Sequence, residues 1–295
     1  MSDNLLVLSE VKKTLRTPFS RKPGFPVGPL NLTIGPAEIV GLIGANGAGK
    51  TTTIKLILGL LVPEAGRVEL AGTPSASNAW RSQVGYLPEQ PAFYEYLSGL
   101  EFMRFAGELF DLRGEALSLK VNHLLDRVGL SDSRHRAIRT YSKGMLQRLG
   151  IAQALLNNPR LLIMDEPMSG LDPLGRRFVR DLLLELRAEG RSILFSTHII
   201  PDAEYVCDRV ALMRGGQLVA VGTFDELLGL PTEFEVASVS AAEAGPAQRA
   251  SVTVKPAELT TTIGDIVSRG GQLVSVSPVR TAVEDLLAPG TREGN

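Results

Sequence analysis

Ile39-Val40-Gly41-Leu42-Ile43 is an unbroken apolar run that leads directly into Gly44-Ala45-Asn46-Gly47-Ala48-Gly49-Lys50-Thr51-Thr52. A short apolar run bounded by glycine reads as a buried strand. Beyond the glycines, Thr51–Leu61 sets Ile54, Ile57, Leu58 and Leu61 at helical spacing. The stretch between strand and helix fits G-x-x-x-x-G-K-[ST], and those flanks are the setting in which the pattern carries meaning. Gly44, Gly47 and Gly49 let the backbone curl with its N–H groups facing inward, where side chains would obstruct an anion. The helix start adds the positive end of its dipole at the same point. Such a cup suits a phosphate chain, with Lys50 neutralising the β- and γ-phosphates and the Thr51 hydroxyl placed to ligate Mg²⁺.

Downstream, Leu161-Leu162-Ile163-Met164 is a second apolar run of strand length, and it ends in Asp165-Glu166. Paired with a phosphate loop, that ending puts Asp165 beside the Mg²⁺ shell and Glu166 where it can polarise a water for attack on the γ-phosphate. Around these two points strands alternate with helices. Ser192–Ser196 reads as another buried strand, and Val210–Met213 with Gln217–Val221 flank Arg214-Gly215-Gly216 as a hairpin. Arg176–Glu189 reads as an amphipathic helix stopped by Gly190. Leu5–Val11 and Leu30–Ile34 are candidate first strands, separated by a stretch carrying Pro18, Pro23, Pro26 and Pro29 that reads as a loop.

From about Tyr94 to Asn158 the pattern is helical, opened by Ser98-Gly99-Leu100-Glu101 with the spacing of a capping box. The implied architecture is α/β: a P-loop NTPase core with a mostly parallel sheet, an N-terminal antiparallel β part and a helical insertion. The main domain covers 1–230, with its helical subdomain at about 94–158. The texture then changes. Residues 231–295 read as a small C-terminal α/β extension, with Ala237–Ser251 as linker, Ser251–Val254 and Leu273–Ser277 as strands, Glu258–Ser268 and Thr281–Leu287 as helices, and a frayed tail.

Composition narrows the function classes. At 295 residues, with 44% hydrophobic and 21% charged residues, the chain is globular and large enough for two domains. Lys+Arg 31 against Asp+Glu 32 supplies no excess positive charge for a nucleic-acid partner. Cys207 is the single cysteine, so no intrachain disulfide forms and a reducing compartment is expected. No stretch reaches the roughly 18 apolar residues of a spanning helix, so membrane contact is expected only through a partner. His123 and His135 lack companions at metal-ligand spacing, and Arg134, Arg136 and Arg139 read as a solvated basic face.

Tyr141-Ser142-Lys143-Gly144-Met145-Leu146-Gln147-Arg148 resembles the signature motif of ATP-binding cassette (ABC) ATPases. The order of motifs matches that family throughout: phosphate loop, helical insertion, signature, acidic strand, Ser169-Gly170-Leu171-Asp172 resembling the D-loop, and Ser196-Thr197-His198 resembling the switch histidine. The similarity covers roughly Leu5–Leu228 and is closest to the exporter-type branch of drug, antibiotic and polysaccharide efflux cassettes. It implies an ATP-hydrolysing subunit, using ATP and Mg²⁺, that pairs head-to-tail with a second copy or a homologous cassette. A separate transmembrane permease would be its other partner, with the chain cytoplasmic and peripheral at the inner face of the membrane. Ser142 and Gly144 would meet the γ-phosphate bound by the partner cassette, Asp172 would lie at the dimer seam, and His198 would contact the γ-phosphate held by Lys50. In Val84-Gly85-Tyr86-Leu87-Pro88-Glu89-Gln90, Glu89 stands where the family's Q-loop has glutamine, so either Glu89 or Gln90 would reach the metal. Adenine would stack on Phe19 or Phe25.

Overall fold

The computed structural model describes residues 4–16, 24–75, 77–228, 233–240 and 248–279. The chain divides into two compact units, Met1–Gly222 and Thr223–Asn295.

Among the described residues, ten strands build the first unit. They are β1 (Leu6–Leu15), β2 (Phe25–Ile34), β3 (Ile39–Ile43), β4 (Ala65–Leu70), β5 (Thr73–Pro74), β6 (Val84–Leu87), β7 (Leu161–Asp165), β8 (Ser192–Thr197), β9 (Arg209–Arg214) and β10 (Gln217–Gly222). Among them run α1 (Lys50–Ile57), α2 (Asn78–Arg81), α3 (Gly99–Glu108), α4 (Gly114–Arg127), α5 (Lys143–Ala154), α6 (Pro173–Ala188) and α7 (Ile200–Val206). The main sheet has the order β10-β9-β3-β8-β7-β6, parallel from β9 to β6, with β10 antiparallel at one edge. Every residue of β3, β7 and β8 is buried, which is why these strands read as continuous apolar runs rather than alternating ones. Each leucine or isoleucine so enclosed contributes about 1.5–3 kcal/mol relative to exposure.

The antiparallel sheet has the order β2-β1-β4-β5. Here the sequence expectation of a loop across Pro26 and Pro29 is corrected: β2 already starts at Phe25 and carries both prolines. It is the edge strand, so the missing proline donors break no ladder on its outer side. The stretch at 17–23, with Pro18, Phe19 and Pro23, lies outside the described residues. The first helix is also shorter than its apolar spacing suggests. It ends at Ile57 because Gly59, with φ of +65°, closes a Schellman turn in which Leu60 N–H donates to the Lys55 carbonyl and Gly59 N–H to the Leu56 carbonyl. Gly190 ends α6 in the same way, with Arg191 N–H on the Leu186 carbonyl.

The insertion between β6 and β7 is helical, and its entrance is the expected capping box. Ser98 Oγ accepts from Glu101 N–H at 3.2 Å, while Glu101 Oε2 accepts from Ser98 N–H at 2.8 Å. In α3, Phe102, Met103 and Ala106 face inward, whereas Phe105 is partly exposed and Leu109, just past the helix, is largely so.

In the second unit a short helix α8 (Phe224–Leu228) precedes β11 (Glu233–Ser240), β12 (Gln248–Val254), α9 (Pro256–Ser268) and β13 (Gln272–Val279). The strands form one antiparallel sheet in the order β12-β11-β13. Ala237–Ser251, expected as linker, is therefore entered from both ends by paired strands. Ala and Ser dilute the apolar alternation there, yet Val236 is buried opposite Val252 and Val276. The expected helix Thr281–Leu287 and the tail lie outside the described residues.

Candidate active site

In a parallel sheet, ligands gather at the carboxyl ends of the strands. Four such ends meet here: β3 delivers the phosphate loop, β7 the acidic pair, β8 the Ser196–His198 segment, and β6 leads to Glu89.

The loop from Gly44 to Gly49 behaves as its composition suggests. Gly49 has φ of +108° and stands at the N-cap of α1 without any side-chain cap, and no acidic residue occupies the first turn. The N–H groups at this helix start are thus left for an anion. The loop is held from outside by the β9–β10 turn, where Gly216 N–H donates to the Ala48 carbonyl at 2.8 Å and the Gly216 carbonyl accepts from Gly28 N–H at 2.7 Å. A side chain on Gly216 would collide with the Pro26 carbonyl, so only glycine permits this clamp. Lys50 is buried, and its ammonium donates to the carbonyls of Gly44 at 2.7 Å and Ala45 at 3.3 Å.

The acidic pair sits directly opposite. Asp165 and Glu166 are 1% and 7% exposed, so neither carboxylate is simply a strand end turning to water. Lys50 Nζ stands 3.3 Å from Glu166 Oε1, and His198 Nδ1 stands 3.0 Å from Glu166 Oε2. Among the described residues Oε1 accepts no hydrogen bond; the ammonium acts on it only as a neighbouring charge. Glu166 also has φ of +51°, a backbone conformation that a non-glycine residue keeps only where its surroundings enforce it. Ser196 Oγ accepts Glu166 N–H at 2.9 Å and donates to Asp165 Oδ1 at 2.5 Å.

Lys50, Asn46, Gly47, Gly49, Thr51, Thr52, Asp165 and Glu166 line one cleft of about 430 Å³. Leu15 and Phe25 also line it, and so does Glu89. Gln90 is not among the lining residues, and Phe19 lies outside the described ones. Burial, and then the charges of Asp165 and Glu89, push the Tyr86 phenol up to about 12. The cleft therefore offers one ammonium against three carboxylates, a balance that repels a polyphosphate unless a cation accompanies it. Its donors around Thr51, Asp165 and Glu89 are all oxygen, which suits Mg²⁺. No cluster of three or more metal-ligating side chains exists among the described residues. Mg²⁺ needs no such cage, because it is bound through one or two carboxylates together with substrate phosphates and water.

Ser142, Gly144 and Asp172 belong to a separate cleft, also about 430 Å³, together with Lys143 and Arg148. Ser142 caps α5 by accepting Met145 N–H at 3.3 Å, and Asp172 caps α6 by accepting Gly175 N–H at 2.8 Å. One chain thus does not bring these residues to the phosphate loop. A physical link nevertheless runs between the two regions: Gln147 Nε2, buried in α5, donates to the Pro167 carbonyl just after Glu166.

The remaining sequence candidates do not line the phosphate-loop cleft. His123 and His135 are exposed. Arg134 is not merely solvated, since it bonds the Ser131 carbonyl, Asn122 and Asp126. Cys207 packs beside Gly41 of β3, and burial pushes its thiol up. Sequence reasoning missed Ser196 as the residue that joins the Asp165 carboxylate to the Glu166 backbone N–H, the Gly216 clamp and Tyr86. All three depend on contacts between segments distant in the chain, for which no local signal exists.

Residues 27–169 match the family model described as ABC transporter. An uncharacterized ABC transporter ATP-binding protein from Nostoc sp. is 44% identical over 236 residues, covering 79% of this chain and 70% of that protein. A fluoroquinolones export ATP-binding protein from Mycobacterium tuberculosis is 38% identical over 226 residues, covering 76% and 71%. Among solved structures, cbiO1 from Clostridium perfringens, described as part of the ABC transporter complex cbiONQ, superposes with a TM-score of 0.67 at 27% identity. That match covers 77% of this chain and 91% of the other.

Proposed function

Because this chain belongs to the ABC transporter family as an ATP-binding subunit, we propose that it hydrolyses ATP to ADP and phosphate and thereby drives a separate transmembrane permease in the direction of export. The observation that carries the reading is the arrangement around Glu166. A buried carboxylate is held between Lys50 and His198 at the mouth of a phosphate loop, with Oε1 free to accept a hydrogen bond. Glu166 Oε1 takes a proton from the attacking water. Lys50 and the loop amides bind the triphosphate, Phe25 stacks on adenine, and His198 holds Glu166 and the γ-phosphate in register. Mg²⁺, when bound, neutralises charge between the β- and γ-phosphates, and Thr51, Asp165 and Glu89 are the residues that would hold it.

The separation of Ser142 and Gly144 into another cleft supports a head-to-tail pair, in which each signature helix meets the nucleotide of the partner cassette. Binding performs work only if open and closed pairs differ in affinity for ATP. Among the described residues no helix is long and apolar enough to cross a membrane. Tyr94, Tyr96 and Phe105 line an exposed apolar groove of about 640 Å³ at the helical subdomain, which suits docking of a permease. The similarity to a fluoroquinolones export protein favours export. With the permease, the chain lies at the cytoplasmic face of the membrane.

The test is phosphate release by the purified chain, alone and with the permease encoded beside its gene, together with membrane co-fractionation in cells with and without that permease. Stimulated hydrolysis and permease-dependent fractionation are expected. Absence of phosphate release in the presence of the permease would defeat the reading.

A further inference from the structure

The parallel pairing of β7 with β8 sets Asp165 directly opposite Ser196. Ser196 is fully buried, and both capacities of its hydroxyl are committed to the acidic pair. The oxygen accepts Glu166 N–H at 2.9 Å, and the proton goes to Asp165 Oδ1 at 2.5 Å. The neighbouring hydroxyl does something different, since Thr197 Oγ1 accepts Ile199 N–H in an ordinary local turn. We infer that Ser196 is a positioning residue for ATP hydrolysis, orienting Asp165 through its hydroxyl proton and locking the backbone of Glu166 through its oxygen.

The inference rests on the roles proposed for Asp165 and Glu166. Glu166 keeps a left-handed φ of +51°, so its side-chain direction depends on what fixes its amide. Asp165 lines the cleft and has two oxygens, and a donor on Oδ1 leaves Oδ2 uncommitted to Ser196. One hydroxyl therefore couples the direction of the residue that would hold the cation to that of the residue that would activate water. An aliphatic side chain at position 196 leaves a buried carboxylate oxygen and a buried N–H without partners, and both can turn. Groups that orient metal-ligating side chains carry roughly 10- to 100-fold in metal affinity or activity.

The experiment compares Ser196→Ala, Ser196→Val and Ser196→Thr in the full chain, because Thr and Val have the same shape and differ in the hydroxyl. Three quantities are measured: kcat and KM for ATP, the Mg²⁺ concentration at half-maximal activity, and hydrogen exchange of the Glu166 amide without nucleotide. Ser196→Ala and Ser196→Val are expected to lose about 10- to 100-fold in kcat with little change in KM. Their Mg²⁺ requirement should rise and the Glu166 amide should exchange faster, while Ser196→Thr stays close to the parent in all three. Parental Mg²⁺ dependence and exchange in Ser196→Ala, or a loss in Ser196→Thr as deep as in Ser196→Val, overturns the inference. A parent chain that hydrolyses no ATP would instead defeat the functional reading, and the amide exchange would still report on Ser196.

Discussion

His198 Nδ1 and Glu166 Oε2 stand 3.0 Å apart, reaching toward each other from the ends of two neighbouring parallel strands. With Nδ1 engaged by this contact, Nε2 is left for another partner. With Lys50 on its other oxygen, Glu166 is held from both sides. The contact makes His198 and Glu166 a unit.

Glu166→Gln should abolish turnover, by at least about 100-fold, because the amide keeps the shape but cannot take the proton. ATP should remain bound and the cassette pair closed. Single-turnover hydrolysis and size-exclusion chromatography with ATP read both effects; parental turnover would remove Glu166 from the mechanism.

His198→Ala should also lower kcat, and the double variant with Glu166→Gln should lose little more than Glu166→Gln alone. Residues that act through one contact are non-additive. Losses that simply multiply would mean that the 3.0 Å contact is not used in the reaction.

Lys50→Ala should weaken ATP binding itself, by about 10- to 100-fold, the value of charge-assisted hydrogen bonds worth roughly 1.5–3 kcal/mol. Equilibrium titration with a fluorescent ATP analogue measures it. Unchanged affinity would discredit the phosphate-loop assignment.

Phe25→Ala should weaken binding of ATP but not of inorganic triphosphate, since stacking on a base is worth about 1–3 kcal/mol. Competition of the two ligands against a labelled nucleotide separates the contributions. Equal losses for both would place adenine elsewhere.

The capping box gives a pH dependence. Hydrogen bonds from the Ser98 backbone and then from its hydroxyl hold the Glu101 carboxyl below its usual range. Its contribution to α3 is therefore present above the unfolded carboxylate value and lost as pH falls through the lower folded value. Protection factors of the amides in Gly99–Glu108, taken relative to intrinsic exchange at each pH, should fall in acid, and Glu101→Gln should remove most of that fall; an unchanged acid profile in the variant would refute the assignment.

The chain announced much of this in one dimension. The strand–loop–helix at Ile39–Ile57, the acidic end of β7, the capping box at Ser98 and the hairpin at Gly215-Gly216 depend on neighbours in sequence, and each is legible from residue type and spacing. The prolines of β2 were misleading because an edge strand tolerates what a central strand does not, and edge position is a property of the sheet. The short first helix turned on Gly59, a local signal that apolar spacing overrode.

What the sequence by itself determined is the set of chemical groups and their local backbone: a glycine loop before a helix, two acids after a buried strand, a serine at the head of α5. Only the tertiary structure decided that Glu89 rather than Gln90 lines the cleft, that Phe25 lines it too, that Ser196 lies opposite Asp165, and that Ser142 lines a different cleft. The reason is physical. Local elements follow from torsional preference and near-neighbour hydrogen bonds, whereas strand order and register are selected by burial of side chains far apart in the chain.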